Sequence, residues 1–187
     1  MPRWLPATTN PLLAGRAKPI LATCVGLILA AWGLVLTWLI SRDLEAETVL
    51  VMIIFSGILL GIAAVSRSGR VTLAAWLLIV LLGLAIVSDA AYYGVGAPGI
   101  FTFVLPIVLA ACLIGLAGGM IIAVIGTIVV WGVAIGAMQG WLAVVIPFQM
   151  DHLTFNAPVI SIVFLLVALI VGWWSRYTSA LIKLSPE

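Results

Sequence analysis

Six separate stretches of this chain, 19–40, 48–65, 71–87, 100–117, 120–138 and 157–174, contain no Asp, Glu, Lys, Arg or His. Each is close to the length a helix needs to cross a hydrocarbon core about 30 Å thick. Together they use roughly 112 of the 187 residues, and the whole chain is 65% hydrophobic and 7% charged. A water-soluble domain of this size has too little polar surface to cover so much apolar material. Lipid is therefore the expected solvent, and a separate soluble catalytic, ATP-binding or nucleic-acid-binding domain does not fit in what remains. In lipid a long apolar run must satisfy its own backbone hydrogen bonds, and these runs lack the alternation of a barrel strand. The expected fold class is all-α, a polytopic bundle of six transmembrane helices with short loops. An N-terminal segment, 1–18, precedes it and a tail, 175–187, follows it.

The charges outside the runs sort by sign. Arg3, Arg16 and Lys18 precede the first, Arg67 and Arg70 separate the second from the third, and Arg176 and Lys183 follow the sixth. Arg42 is the one basic residue elsewhere, while Asp43, Glu45, Glu47, Asp89 and Asp151 fall on the alternate connections. Because basic flanks resist translocation, this pattern predicts both termini in the cytoplasm. The first run is too long for the apolar core of a secretory signal, and no small-x-small cleavage site follows it, so it reads as a retained anchor. Met1 to Pro11, with Trp4 and Leu5 among prolines, suits the headgroup level. Trp38, Trp141, Tyr92 and Tyr93 fall near the outer boundary, and Trp4, Trp76, Trp173, Trp174 and Tyr177 near the inner one, as aromatic belts do.

Membrane helices associate through close backbone approach at small residues. Ala22, Gly26 and Ala30 form one such series, Gly57 and Gly61 a second, Gly132, Gly136 and Gly140 a third, and Ala168 and Gly172 a fourth. These are the expected packing faces, with some available to a partner. Gly115 to Gly119 is short enough to force a hairpin between the fourth and fifth runs. Pro106 is expected to bend the fourth. Cys24 and Cys112 read as small buried thiols without a disulfide. Trp32 and Trp131 lie deeper, where they pack between helices or leave room for contact with a lipid, quinone or pigment.

Intramembrane chemistry is sparse. Ion pathways and proton relays are usually marked by ionisable residues at membrane depth, and none occurs here. The hydroxyls of Thr37, Ser56, Thr127 and Ser161 can each bond the carbonyl four residues back. No zinc-protease, dithiol, phosphate-loop or dinucleotide motif is present, so the chain reads as a non-enzyme with no assigned cofactor or metal. The one polar constellation lies on the outer side. Ser88, Asp89, Tyr92 and Tyr93 end the third run, and Gln149, Asp151, His152, Thr154 and Asn156 precede the sixth. Trp141 to Pro147 between them is expected to lie along the interface as a surface or re-entrant helix. Asp89, Tyr92, Tyr93, Asp151, His152 and Asn156 are the candidate ligand or partner contacts. Against that stands the plain reading of a solvated loop, since one His with two Asp at unrelated spacing does not define a metal site.

The segment Tyr93-Gly-Val-Gly-Ala-Pro-Gly-Ile-Phe-Thr-Phe-Val-Leu-Pro-Ile-Val-Leu-Ala-Ala, with Leu113-Ile-Gly-Leu-Ala-Gly-Gly-Met after it, resembles the membrane input region of bacterial sensor histidine kinases and diguanylate cyclases. There a Gly/Pro loop opens a proline-bearing helix that hairpins through a glycine turn. The resemblance implies a bacterial cytoplasmic membrane and a sensory ancestry. In that family the last helix continues into a coiled coil and a catalytic domain, whereas the tail here is Tyr177-Thr-Ser-Ala-Leu-Ile-Lys-Leu-Ser-Pro-Glu187. Three readings follow: an accessory subunit of a larger membrane complex, respiratory or photosynthetic; a sensory input module signalling through a separate partner; and the substrate-binding membrane subunit of a vitamin-type importer. Each expects membrane lipid and another membrane protein as neighbours, and no nucleic acid.

Overall fold

The computed structural model describes residues 11–41, 46–96, 98–147 and 149–184. The expectations for Met1 to Asn10, Arg42, Asp43 and Glu45 lie outside the described residues, as does the expected placement of the Trp38 and Lys183 side chains. The described chain is all-α, and five of its helices are long and apolar enough to cross a membrane. They are α1 (Pro11–Ser41), α2 (Ala46–Arg67), α3 (Val71–Tyr93), α5 (Leu116–Met138) and α6 (Ala157–Leu184), with a shorter α4 (Val104–Leu113) between the third and fifth. With these helices the protein is an integral, multi-pass membrane protein. The chain divides into two compact units, one ending at Leu78 and the other beginning at Ile79.

In the first unit α1 buries Ala17, Ile20, Cys24, Ala31 and Val35, and α2 buries Leu59, Ile62, Ala63 and Ser66. Both sets recur at three and four residues, so each is a single stripe on its helix. Trp32 Nε1 on α1 donates to Ser56 Oγ on α2 at 3.2 Å. That bond accounts for a deep tryptophan and a deep hydroxyl with one contact. The expected packing faces on these helices lie elsewhere. Ala22, Gly26, Ala30, Gly57 and Gly61 are all exposed, and a Cβ built on Gly26, Gly57 or Gly61 would meet nothing within 4 Å. At about 100° per residue, positions 22, 26 and 30 fall roughly opposite Cys24 and Ala31, and 57 and 61 roughly opposite Leu59. The reason is geometric: residues two apart on a helix point to opposite sides.

The second unit is built on α4, α5 and α6. Gly115, at φ 111°, turns the chain from α4 into α5. Gly119 then lies so close to α4 that a Cβ would come 2.8 Å from Ala111 Cβ and 3.2 Å from its Cα. Gly126 faces Phe103 and Phe164, whose ring centres are 5.6 Å apart. Ile160, Phe164, Ala168 and Gly172 form the buried stripe of α6. Trp131 Nε1 donates to Ser161 Oγ at 3.2 Å, and Ser161 in turn donates to Ala157 O at 2.7 Å. Gly172 brings α6 down on Leu116, with its Cβ position 3.0 Å from the Leu116 Cα.

Two expectations for this unit are corrected. The fourth apolar run is not one helix over 100–117, because it begins as a 3-10 segment, Pro98–Phe103, and continues as α4 for 10 residues. Pro106 therefore falls in the first turn of α4, just past the junction with the 3-10 segment, rather than in the middle of a long helix. The Gly132, Gly136 and Gly140 series is not one open face either. Gly132 is exposed, Gly136 is covered by Leu142 of the same chain, and Gly140 stands past the end of α5 at φ 74°. Cys24 is buried and Cys112 is exposed, and neither is in a disulfide.

Candidate functional site

The polar constellation is assembled by three segments of the second unit. α3 continues to Tyr93, past the expected end at Val87, so Asp89, Tyr92 and Tyr93 form its last turn. Gly94, at φ 90°, stops the helix, and its N–H donates to Ala90 O at 2.8 Å. Only a residue tolerant of positive φ leaves a helix this way at low cost. Beyond this helix end, Gly96 and Gly99 each lie against a side chain. A Cβ on Gly96 would come 2.9 Å from His152 Nε2, and one on Gly99 would collide with the Asp89 carboxylate.

The connection after α5 completes the arrangement. Trp141 and Leu142 donate their N–H groups to Gly136 O at 2.8 and 3.2 Å, which folds the chain back over the end of α5. Val145 N then donates to Tyr92 O at 2.8 Å and Ile146 N to Tyr93 O at 3.3 Å. The expected surface helix over Trp141 to Pro147 is therefore absent. Its backbone bonds go to the last two carbonyls of α3, which a helix end leaves without internal partners. Tyr92 and Tyr93 meet edge to face with ring centres 4.9 Å apart.

His152 is 8% exposed, so the solvated-loop expectation fails for this residue. It opens a single π turn, His152–Asn156, that runs directly into α6. Pro158 supplies the cause. It has no N–H for the carbonyl of Thr154, four residues back, and the neighbouring Ala157 N–H reaches five residues back to His152 O. The Gln149 N–H points to His152 Nδ1 at 3.4 Å, which holds the ring against the loop. Asp151 is exposed and Asn156 half-buried. Thus His152 lies against Gly96 and Asp89 against Gly99, whereas Asp151 is exposed. Among the described residues no three His, Cys, Asp or Glu gather as a metal site would require.

Burial of His152 left no signal in the sequence: continued back at about 100° per residue, position 152 lies far round the helix from Phe164, Ala168 and Gly172, and it is the π turn that re-aims it. Gly96, Gly99 and Gly126 had no signal either, because nothing local to them specifies a distant side chain. An apolar cleft of about 180 Å³ between α3 and α5, lined by Gly83, Val87, Phe103 and Ile122 among others, is below the roughly 300 Å³ at which small-molecule sites begin. No family model, characterised protein or solved structure matches the chain.

Proposed function

We propose that this multi-pass membrane protein is a non-catalytic accessory subunit of a larger membrane complex, inserted with both termini in the cytoplasm of a bacterial cell. The observation that supports it is the exposure of two small-residue faces, Ala22/Gly26/Ala30 on α1 and Gly57/Gly61 on α2, on the sides opposite the buried stripes. A helix that meets only lipid gains nothing from glycine there, whereas a second helix backbone can approach closely. The polar knot around His152 is consistent with a closing role, since its hydrogen bonds join parts of one chain.

The test is recovery from the native membrane in mild detergent. The wild-type chain is expected to migrate with a partner in stoichiometric amount. Gly26→Leu and Gly57→Leu, both in open space, should release a folded monomer. A wild-type protein that purifies alone and stable refutes the subunit reading, and a sensory or importer role then predicts a ligand-dependent partner instead.

A further inference from the structure

At the end of the second unit away from the polar knot, a groove of about 750 Å³ runs between the start of α5 and the last turns of α6. It is lined by Leu116, Leu169, Ile170, Trp173, Arg176 and Tyr177. The five α6 residues recur at three and four positions and so share one face. The groove exists because Gly172, on the adjacent face, lets α6 close onto Leu116 and leaves the larger side chains standing beside that contact.

Depth and charge identify the occupant. Ala157 to Arg176 measures about 29 Å at 1.5 Å per residue, close to the full hydrocarbon thickness. With the polar turn His152–Asn156 at one boundary, Arg176 stands at the other, level with lipid phosphates. The described carboxylates of this unit, Asp89 and Asp151, are at the opposite end, so a guanidinium faces an otherwise apolar groove without a carboxylate at its level. Exposed Trp173 and Tyr177 are the ring types that sit at headgroup depth. We propose that the groove binds one anionic phospholipid, with its phosphate on Arg176 and its acyl chains along Leu116, Leu169 and Ile170. Guanidinium matches phosphate geometry with two parallel N–H donors, and one cation at the headgroup end of an apolar groove suits an anionic lipid. A free phosphate would leave the apolar length of the groove unfilled. This inference requires only the membrane embedding and not the subunit reading.

The full chain is purified in detergent with equal phosphatidylglycerol and phosphatidylcholine, and retained lipid is counted by native mass spectrometry. Wild type should hold one phosphatidylglycerol with about tenfold preference, which is ~1.4 kcal/mol. Arg176→Gln should fall to parity, Arg176→Lys should keep part of the preference, and Arg70→Gln should match wild type. Excess inorganic phosphate should not displace the lipid. Absence of a preference in wild type, its persistence in folded Arg176→Gln, or an equal loss in Arg70→Gln overturns the site, and so does displacement by phosphate or a co-purifying protein filling the groove.

Discussion

Gly126 and Gly132 lie six residues apart on α5, and the structure assigns opposite consequences to the same substitution at each. A Cβ at Gly126 would stand 2.8 and 2.9 Å from two ring carbons of Phe103 and 3.1 Å from Phe164, while one at Gly132 would meet nothing within 4 Å. Carbon atoms rest comfortably at about 3.5–4.0 Å, so for Gly126→Ala the Phe103 ring must retreat by roughly 0.7 Å and the Phe164 ring by roughly 0.4 Å. Both are buried; Phe164 is fully enclosed, while Phe103 has the small cleft between α3 and α5 on one side. Overpacking of this kind costs about 1–3 kcal/mol. Alanine also favours helix by about 1 kcal/mol over glycine, but that gain enters both variants and cancels in their comparison. We expect Gly126→Ala to be less stable than Gly132→Ala by about 2 kcal/mol, a factor of roughly 30 in the folding equilibrium. Denaturation in mixed micelles, followed by tryptophan fluorescence, measures the difference. Equal stability, or a more stable Gly126→Ala, would refute the tight three-way contact of Phe103, Gly126 and Phe164.

His152→Ala should lower stability by about 1–3 kcal/mol, beyond the ±0.5 kcal/mol of a surface change, and should expose the 141–149 connection to protease; an unaltered cleavage rate would return this residue to a solvated loop. A double-mutant cycle of Trp131→Phe with Ser161→Ala should show a coupling of about 0.6 kcal/mol, the average for hydrogen bonds between membrane helices, and zero coupling would remove that bond from the account. For topology, Ser68→Cys in intact cells should resist an impermeant thiol reagent and Ala46→Cys should react, both positions being exposed; labelling at Ser68 would reverse the inferred orientation.

What the sequence makes legible here is what depends on composition and short period. Apolar length alone placed five long helices, because lipid leaves a spanning backbone no other economical solution. It failed over 100–117, where apolarity persists through Pro98, Gly99 and Pro106 although the backbone changes its helix type. Hydropathy does not register a proline once the neighbouring residues are apolar. The candidate polar residues were found as types, but their grouping was not. Whether Asp89 and His152 meet Gly99 and Gly96 depends on Gly94 turning the chain, which a glycine past a helix end does signal, and on Val145 and Ile146 bonding the end of α3, which nothing local signals.

Small residues show the same limit from the other side. Four-residue spacing identifies a flat face without saying which way it points, and the two units resolve that question differently. In the second, Gly119, Gly126 and Gly172 face inward and meet Ala111, Phe103 and Leu116, so their lack of a side chain is explained within the chain. In the first, Ala17, Ile20, Cys24 and Ala31 make the inward stripe, and Gly26, Gly57 and Gly61 face out. Glycine costs about 1 kcal/mol of helix propensity relative to alanine, and lipid tails pack against leucine as well as against glycine. An outward glycine therefore brings a cost that neither the fold nor the lipid repays. Close approach of another helix would repay it, so under the proposed subunit role a partner helix should be sought at Gly26 on α1, at Gly57 and Gly61 on α2, and at the equally open Gly132 on α5.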